Sequence, residues 1–374
     1  MPEPAGDPSS GRRRRLTAVG APLLIAAVPL LAAAVLVGSA FPASATGQAA
    51  APPATPTASS SAPAAATGLC RLADPRLPEL SGLVSAGDRL LAMNDGGSRL
   101  ELYVLDTGCR VVDVRTAAID PYDPEDLALG GDGSIWFADI GDNRASRATV
   151  ALLAMRPDGS TTVERLAYPD GPHDAEALLL APDGTPYLVT KDVTGLSGVY
   201  RPASPPVQGR TTALTKVATV RLTPTGTTGG PAGPIGQLLV TGGAVSRDGR
   251  LIALRTYTDA YVWPLTGSDV AGALAGAPRR IALPPEPQGE AISFTEDDAS
   301  LVVAGETVPS DIDLVPVPSA AAASAAGTAT STAAGRSAGI PTLNAALIAA
   351  GVATVAVWLT GFVRRRRRGS RPVA

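Results

Sequence analysis

Acidic residues recur in this chain inside a phrase that is written three times: "DPEDLALGGDG" from Asp123, "HDAEALLLAPDG" from His173 and "PQGEAISFTEDD" from Pro287. Each time, acids open an apolar run of strand length and an acidic turn closes it. Asp123, Glu125, Asp174, Glu176 and Glu290 thus hold related places in a repeat. Carboxylate oxygens gathered from several repeats suit a hard cation such as Ca²⁺, which takes six to eight oxygen ligands. A cation would also offset the crowding of like charges. Lys191 and Arg255 could then hold an anionic ligand.

Those residues need elements that bring them to one face. The middle of the chain has no long helical periodicity. Short apolar runs bounded by Gly, Asp and Pro predict strands of four to seven residues ("RLLAMND", "SIWFAD", "SLVVAGE"). "SDVAGALAG" (Ser268–Gly276) predicts a short helix. Aligning the acidic turns gives five units, beginning near Ser81, Glu125, Glu176, Thr241 and Glu290. Each reads strand, tight turn, strand, then two weaker strands. That content fits the four-stranded blade of an all-β propeller, and Asp-Gly suits a two-residue hairpin. The last unit is a strand short, and "LCRLADP" (Leu69–Pro75) is an orphan that could complete it. Five blades are expected; the long stretch from Arg210 to Pro234 leaves six open, and a sandwich or barrel is the alternative fold.

In a blade, the start of the first strand and the end of the second share a rim. The first set contributes Asp123, Glu125, Asp174, Glu176 and Glu290 as metal candidates, with Asp126 beside them on the rim. The second adds Asp139 to them, with Asp95, Asp142, Asn143, Lys191 and Arg255 as ligand-binding candidates. The plain alternative is that these acids cap turns, as Asp and Asn do routinely. His173 is the only histidine, which excludes a His-rich zinc site and HExxH chemistry and leaves His173 as a candidate rim acid or base. There is no GxSxG, P-loop or GxGxxG. Trp136, Tyr187, Tyr257, Tyr261 and Trp263 fall in strand runs and read as blade packing.

The ends are of another kind. Arg12–Arg15 precede an apolar stretch and then Ala43-x-Ala45, a secretory signal (1–45) or, since the stretch is long, a retained anchor. Residues 46–68 and 319–339 are spacers of Ala, Pro, Ser, Thr and Gly, broken only by Gln48 and Arg336, that cannot bury enough surface to fold. Leu343–Val363 carries no charge and has the length of a membrane-spanning helix. Arg364–Arg368 come next and mark the cytoplasmic side. The expectation is a single-pass membrane protein with residues 69–318 outside the cell and the tail, 364–374, within it. Eleven of the 31 basic residues but only two of the 34 acids lie in these tails, so the domain itself is acidic. An acidic surface repels nucleic acid. Cys70 and Cys109 are the only cysteines, and outside the cell they suggest a disulfide.

The string "SGL…NDGG…DPEDLAL…DIGDN…DAEAL…VTK…QGEAI" resembles bacterial secreted propeller proteins of the phytase-like, NHL-like or WD40-like repeat type, over nearly the whole domain. The Ala- and Arg-rich, Lys-poor composition looks actinobacterial. The resemblance to β-propeller phytases implies Ca²⁺ on top-face carboxylates (Asp123, Glu125, Asp174, Glu176, Glu290) and phosphate on Lys191 and Arg255. The leading expectation is a membrane-anchored extracytoplasmic propeller that binds an extracellular ligand or protein with Ca²⁺. A Ca²⁺-dependent phosphoesterase and a passive surface scaffold are the alternatives.

Overall fold

The computed structural model describes residues 66–318. The expected signal or anchor (1–45), all but the end of the spacer (46–68), the stalk (319–339), the membrane helix (340–363) and the Arg-rich tail (364–374) lie outside the described residues. Among the described residues no helix is long and apolar enough to cross a membrane.

The regular structure of the described chain is almost wholly strand. β1 (Thr67–Leu72) pairs with none of the strands next to it in sequence. Then come β2 (Leu80–Ala86), β3 (Arg89–Asn94), β4 (Leu100–Leu105) and β5 (Val111–Ala117), an antiparallel meander. β6 (Pro124–Leu129), β7 (Ile135–Asp139), β8 (Val150–Met155) and β9 (Thr161–Ala167) repeat it. So do β10 (Ala175–Leu180), β11 (Pro186–Thr190), β12 (Leu196–Pro202) and β13 (Thr211–Arg221). β14 (Val240–Val245), β15 (Leu251–Thr256), β16 (Asp259–Pro264) and β17 (Arg279–Ala282) make the fourth, with the short helix α1 (Val270–Leu274) between the last two. β18 (Gly289–Phe294), β19 (Ser300–Gly305) and β20 (Ser310–Pro316) lack a fourth strand of their own; β1 pairs with β20 and supplies it. The stretch from Arg210 to Pro234 is no further meander: it holds β13 and the start of a loop with one 3₁₀ turn at Gly233–Ile235.

The first strands of the meanders touch in sequence: β2 meets β6, β6 meets β10, β10 meets β14, β14 meets β18, and β18 returns to β2. Strands ringed about an axis in this way make a β-propeller. The core lies between neighbouring meanders. Leu91, Met93 and Leu102 of one pack with Leu127, Phe137 and Leu153 of the next. Leu152 and Leu166 meet Leu178, Leu188 and Tyr200. Leu179 and Val199 meet Leu254 and Trp263, and Val262 and Ile281 meet Ile292 and Val303. Leu80 and Tyr103 meet Val302 and Ile312 where the first and last meanders come together. One further contact is unlike the others. β9 and β13, the outer strands of two meanders, pair in parallel through Arg165–Ala167 and Thr211–Ala213, merging eight strands into one sheet.

The meeting of first and last meanders is also fastened covalently. Cys70 of β1 is bonded to Cys109 beyond β4, with Cα atoms 5.8 Å apart and a sequence separation of 39. In the chain-entropy view such a loop contributes about 4 kcal/mol. Thr307 N–H donates to the Pro78 carbonyl across the same seam. β1 begins opposite Leu314, near the end of β20, and Val317 N–H bonds the Ala299 carbonyl in the β18–β19 turn. The described chain therefore enters and leaves at the face of the molecule that carries the first hairpin turns.

Candidate functional site

The opposite face is built by a device that repeats five times. The pairing of each meander's first two strands slips by one residue close to its start: between Leu80 and Gly82, Pro124 and Asp126, Ala175 and Ala177, Val240 and Gly242, Gly289 and Ala291. The residues left out are Ser81, Glu125, Glu176, Thr241 and Glu290, the positions on which the five sequence units align. A β-bulge leaves its extra residue unpaired and re-aims its side chain. All five side chains are buried, and they link round the ring. Ser81 Oγ donates to the Glu125 carbonyl at 2.6 Å, and Thr241 Oγ1 donates to that of Gly289 at 3.0 Å.

Two further columns complete this mouth. Two residues before each bulge, the carbonyls of Glu79, Asp123, Asp174 and Gln288 accept the N–H of Asp95, Gly141, Lys191 and Glu306, which lie just beyond the second strands. At Gly141 a side chain would collide with the carboxylates of Glu125 and Asp123; the motif "DIGDN" needs glycine there so that both acids can close on the backbone. Tyr257 comes after β15 at the corresponding place in the remaining meander. It is thus a mouth residue and not strand packing, and Lys191 Nζ lies 5.2 Å from its ring centroid.

Electrostatics at the mouth are those of crowded, desolvated acids. Burial, with Asp95 and Glu176 nearby, pushes the Asp123 carboxyl up to about 8. Glu176 is pushed up to about 7 by burial against the pull of Lys191, whose Nζ donates to Glu176 Oε1 at 2.8 Å. Glu125 and Glu290 are raised well above the carboxylate range, by burial first and by neighbouring acids including Glu176. The same acids outweigh the burial of Lys191 and keep its ammonium charged. Glu290 Oε1 accepts from Gln288, while Oε2 is buried and meets no donor. Glu79, Asp95 and Glu306 bring carboxylate oxygens within 4.8 Å of one another, a group that could hold a metal ion, across the seam between first and last meanders.

The remaining candidates fall elsewhere. Asp139 accepts the N–H groups of Tyr122 and Asp123 and pairs with Arg147 at 2.9 Å. Asp142 caps Ser146 and Arg147 and donates its own N–H to Asp174. "DIGDN" is therefore a turn closed round Arg147, with Asn143 exposed beside it. His173 sits next to the mouth in sequence but its ring bonds Asp170 at 2.9 Å and Tyr200 at 3.0 Å, apart from the acids. Arg255 is fully buried, donates to the carbonyls of Ala291, Ala304 and Thr256, and pairs with Glu286. It packs where a side chain on Gly289 would stand. Its guanidinium is spent on joining two meanders and is not presented to a ligand.

Asp126, one residue beyond the bulge, plugs the axis below the mouth. It is fully buried and accepts N–H groups from Leu127, Leu178 and Gly243, which belong to three different first strands. Burial pushes its carboxyl up against the pull of those donors.

No model of a known protein family matches the chain, and no curated protein matches it in sequence. Among solved structures it is similar to a gluconolactonase from Xanthomonas campestris, with a TM-score of 0.38 and 19% identity over 64% of this chain and 72% of that one. A streptogramin B lyase gives 0.34 and 12% over 66% and 97%. A virginiamycin B lyase from Staphylococcus aureus gives 0.35 and 11% over 67% and 74%. What defines the chain is its own geometry: a β-propeller whose axial mouth is ringed by buried acids.

Proposed function

We propose that this chain is a five-bladed propeller closed by its N-terminal strand, and that it serves as an extracytoplasmic, membrane-anchored binding module. Its mouth takes a hard divalent cation of the Ca²⁺ type and, through it, a ligand rich in oxygen donors. Five seams of packing and the pairing of β1 with β20 support the closed ring. The observation that carries the binding reading is the surplus of buried carboxyl groups over the one ammonium, Lys191, with Glu290 Oε2 left without a donor. The donor set fits such an ion. Its groups are oxygen throughout, His173 is engaged elsewhere, and both cysteines are in the disulfide. Soft metals would ask for nitrogen or sulfur.

Calorimetric titration of the domain 67–318 with Ca²⁺ is the test. Saturable binding that weakens at least tenfold in Glu290→Gln supports the reading; no binding at any pH between 6 and 8.5 overturns it. The orientation rests on the arginine runs at 12–15 and 364–368. Protease added to intact cells should remove the propeller and leave a short fragment ending in the arginine tail, and protection of the propeller would refute it.

The second reading is a Ca²⁺-dependent phosphoesterase. Glu176 and Asp123, pushed up to about 7 and about 8, have the affinity for protons that a general base needs near neutrality. Against it, Arg255 is buried and Lys191 is bound to Glu176, so few cations remain for phosphate. Turnover of 4-nitrophenyl phosphate that disappears with chelator would favour it.

A further inference from the structure

The hairpin-turn face holds a second concavity, a funnel of about 740 Å³ on the far side of the Asp126 plug. Leu127, whose N–H donates to Asp126, and Ala244, which follows another donor, Gly243, form part of its wall. Its volume falls in the range of small-molecule sites, roughly 300–1,000 Å³. The wall is mixed: Leu129, Leu180 and Val245 give it apolar patches between Ser85, Ser246 and Ser293. Trp136 also faces it and is half-buried, unlike Trp263, which is 1% exposed.

The rim is mainly acidic. Asp132, Asp183, Asp248 and Glu296, each from the first turn of a different meander, line it with Arg247, and Arg250 approaches Asp248 at 3.8 Å. Arg247 is already paired with Glu296 at 2.8 Å. The turns themselves explain why an acid recurs, since Asp132, Asp183 and Asp248 accept backbone N–H groups two residues on. The ring symmetry then gathers those charges round one opening. Turn hydrogen bonds lower the carboxyls of Asp132 and Asp248, so both are ionised near neutrality. Gly130 brings an acid and the indole together: a side chain there would meet both Asp132 Oδ1 and Trp136 Nε1.

We propose that this funnel binds a small organic cation with an apolar body, an alkyl- or arylalkyl-ammonium. The apolar patches of the wall take the body, and the acidic rim with the Trp136 indole takes the ammonium, through charge and cation–π attraction. This site is separate from the mouth and does not depend on a metal there.

The probes are 4-phenylbutylammonium, 4-phenylbutyrate and 4-phenylbutanol, which share a body and differ in charge. They are titrated into the domain 67–318 in the presence of chelator. Trp136 is the half-exposed one of the two tryptophans in that domain, so fluorescence excited at about 295 nm reads the funnel, and calorimetry gives the affinity independently. The ammonium should bind saturably and at least tenfold more tightly than the carboxylate, with the alcohol between them. Asp183→Asn/Asp248→Asn keeps the turn hydrogen bonds, because Asn accepts as Asp does, and a melting curve verifies the fold. In that variant the ammonium should bind at least fivefold more weakly and the alcohol as before. The proposal is overturned if no probe saturates, if the carboxylate binds as tightly as the ammonium, or if the folded double variant keeps the full preference.

Discussion

Raising the pH should destabilise the metal-free propeller over a range in which most proteins are indifferent. The native mouth holds protons that the unfolded chain has already released, so each ionisation above the ordinary carboxylate range costs stability. For Glu176, moved from 4.5 to about 7, the cost is roughly 3 kcal/mol at ~1.4 kcal/mol per tenfold change. The sign is fixed by the direction of the shift: that stability is whole below pH 4.5 and gone above about 7. For a domain of this size roughly 3 kcal/mol corresponds to about 6–12 °C in Tm. Carboxyls that are held low, such as Asp74, Asp106 and Asp297, titrate below pH 4 and leave this window untouched. The assay is calorimetric melting of residues 67–318 with chelator from pH 5 to 8, for the native sequence and Glu176→Gln. Tm should fall with pH in the first and fall markedly less in the second. Ca²⁺ should restore much of the loss at pH 8, by about 2.7 kcal/mol at a hundredfold excess over Kd. A Tm that is flat or rising from pH 5 to 8, or an equal slope in the variant, would refute the account of the mouth as crowded and desolvated.

Single residues carry further expected outcomes. Asp126→Ala strands the buried N–H groups of Leu178 and Gly243 at ~1–3 kcal/mol each. Urea denaturation should show a loss of about 2–6 kcal/mol, with less in Asp126→Asn. Arg255→Met should cost ~3–5 kcal/mol, the usual scale for removing one partner of a buried pair, while leaving the affinity of the refolded domain for Ca²⁺ unchanged; lost affinity with full stability would return Arg255 to the binding site. A domain starting at Glu79 exposes the edge of β20 and should melt far below one that keeps β1 but carries Cys70→Ser; equal melting would mean that the disulfide, and not the strand, holds the seam.

The repeat was legible because turns and bulges recur at fixed offsets. Aligning acidic turns put Ser81, Glu125, Glu176, Thr241 and Glu290 in register, and those five are the bulged residues. The bulge itself was not legible: alternation has a period of two, and one extra residue reads as a continuing apolar run. Glu79 was missed as a site residue although it stands two before Ser81, as Asp123 and Asp174 stand before their bulges; that column was the available signal. Arg255 and Asp126 were misjudged for a common reason. Sequence shows a charge at a strand end, but only the packing of neighbouring meanders decides whether it faces water or bonds inward. Tyr257 shows the converse, since a tyrosine after a strand reads as core until the ring sets Lys191 beside it.

The entry and exit of the described chain at a single face has a consequence for how the molecule meets its surroundings. The first and last described residues thus stand on the side of the funnel, and the acidic mouth opens on the opposite face. The two openings are then sorted by geography. Because Thr67 and Pro316 both sit at that face, immobilising the propeller through either terminus presents the mouth and hides the funnel, and an opening made instead in an outer loop of the mouth would reverse that choice.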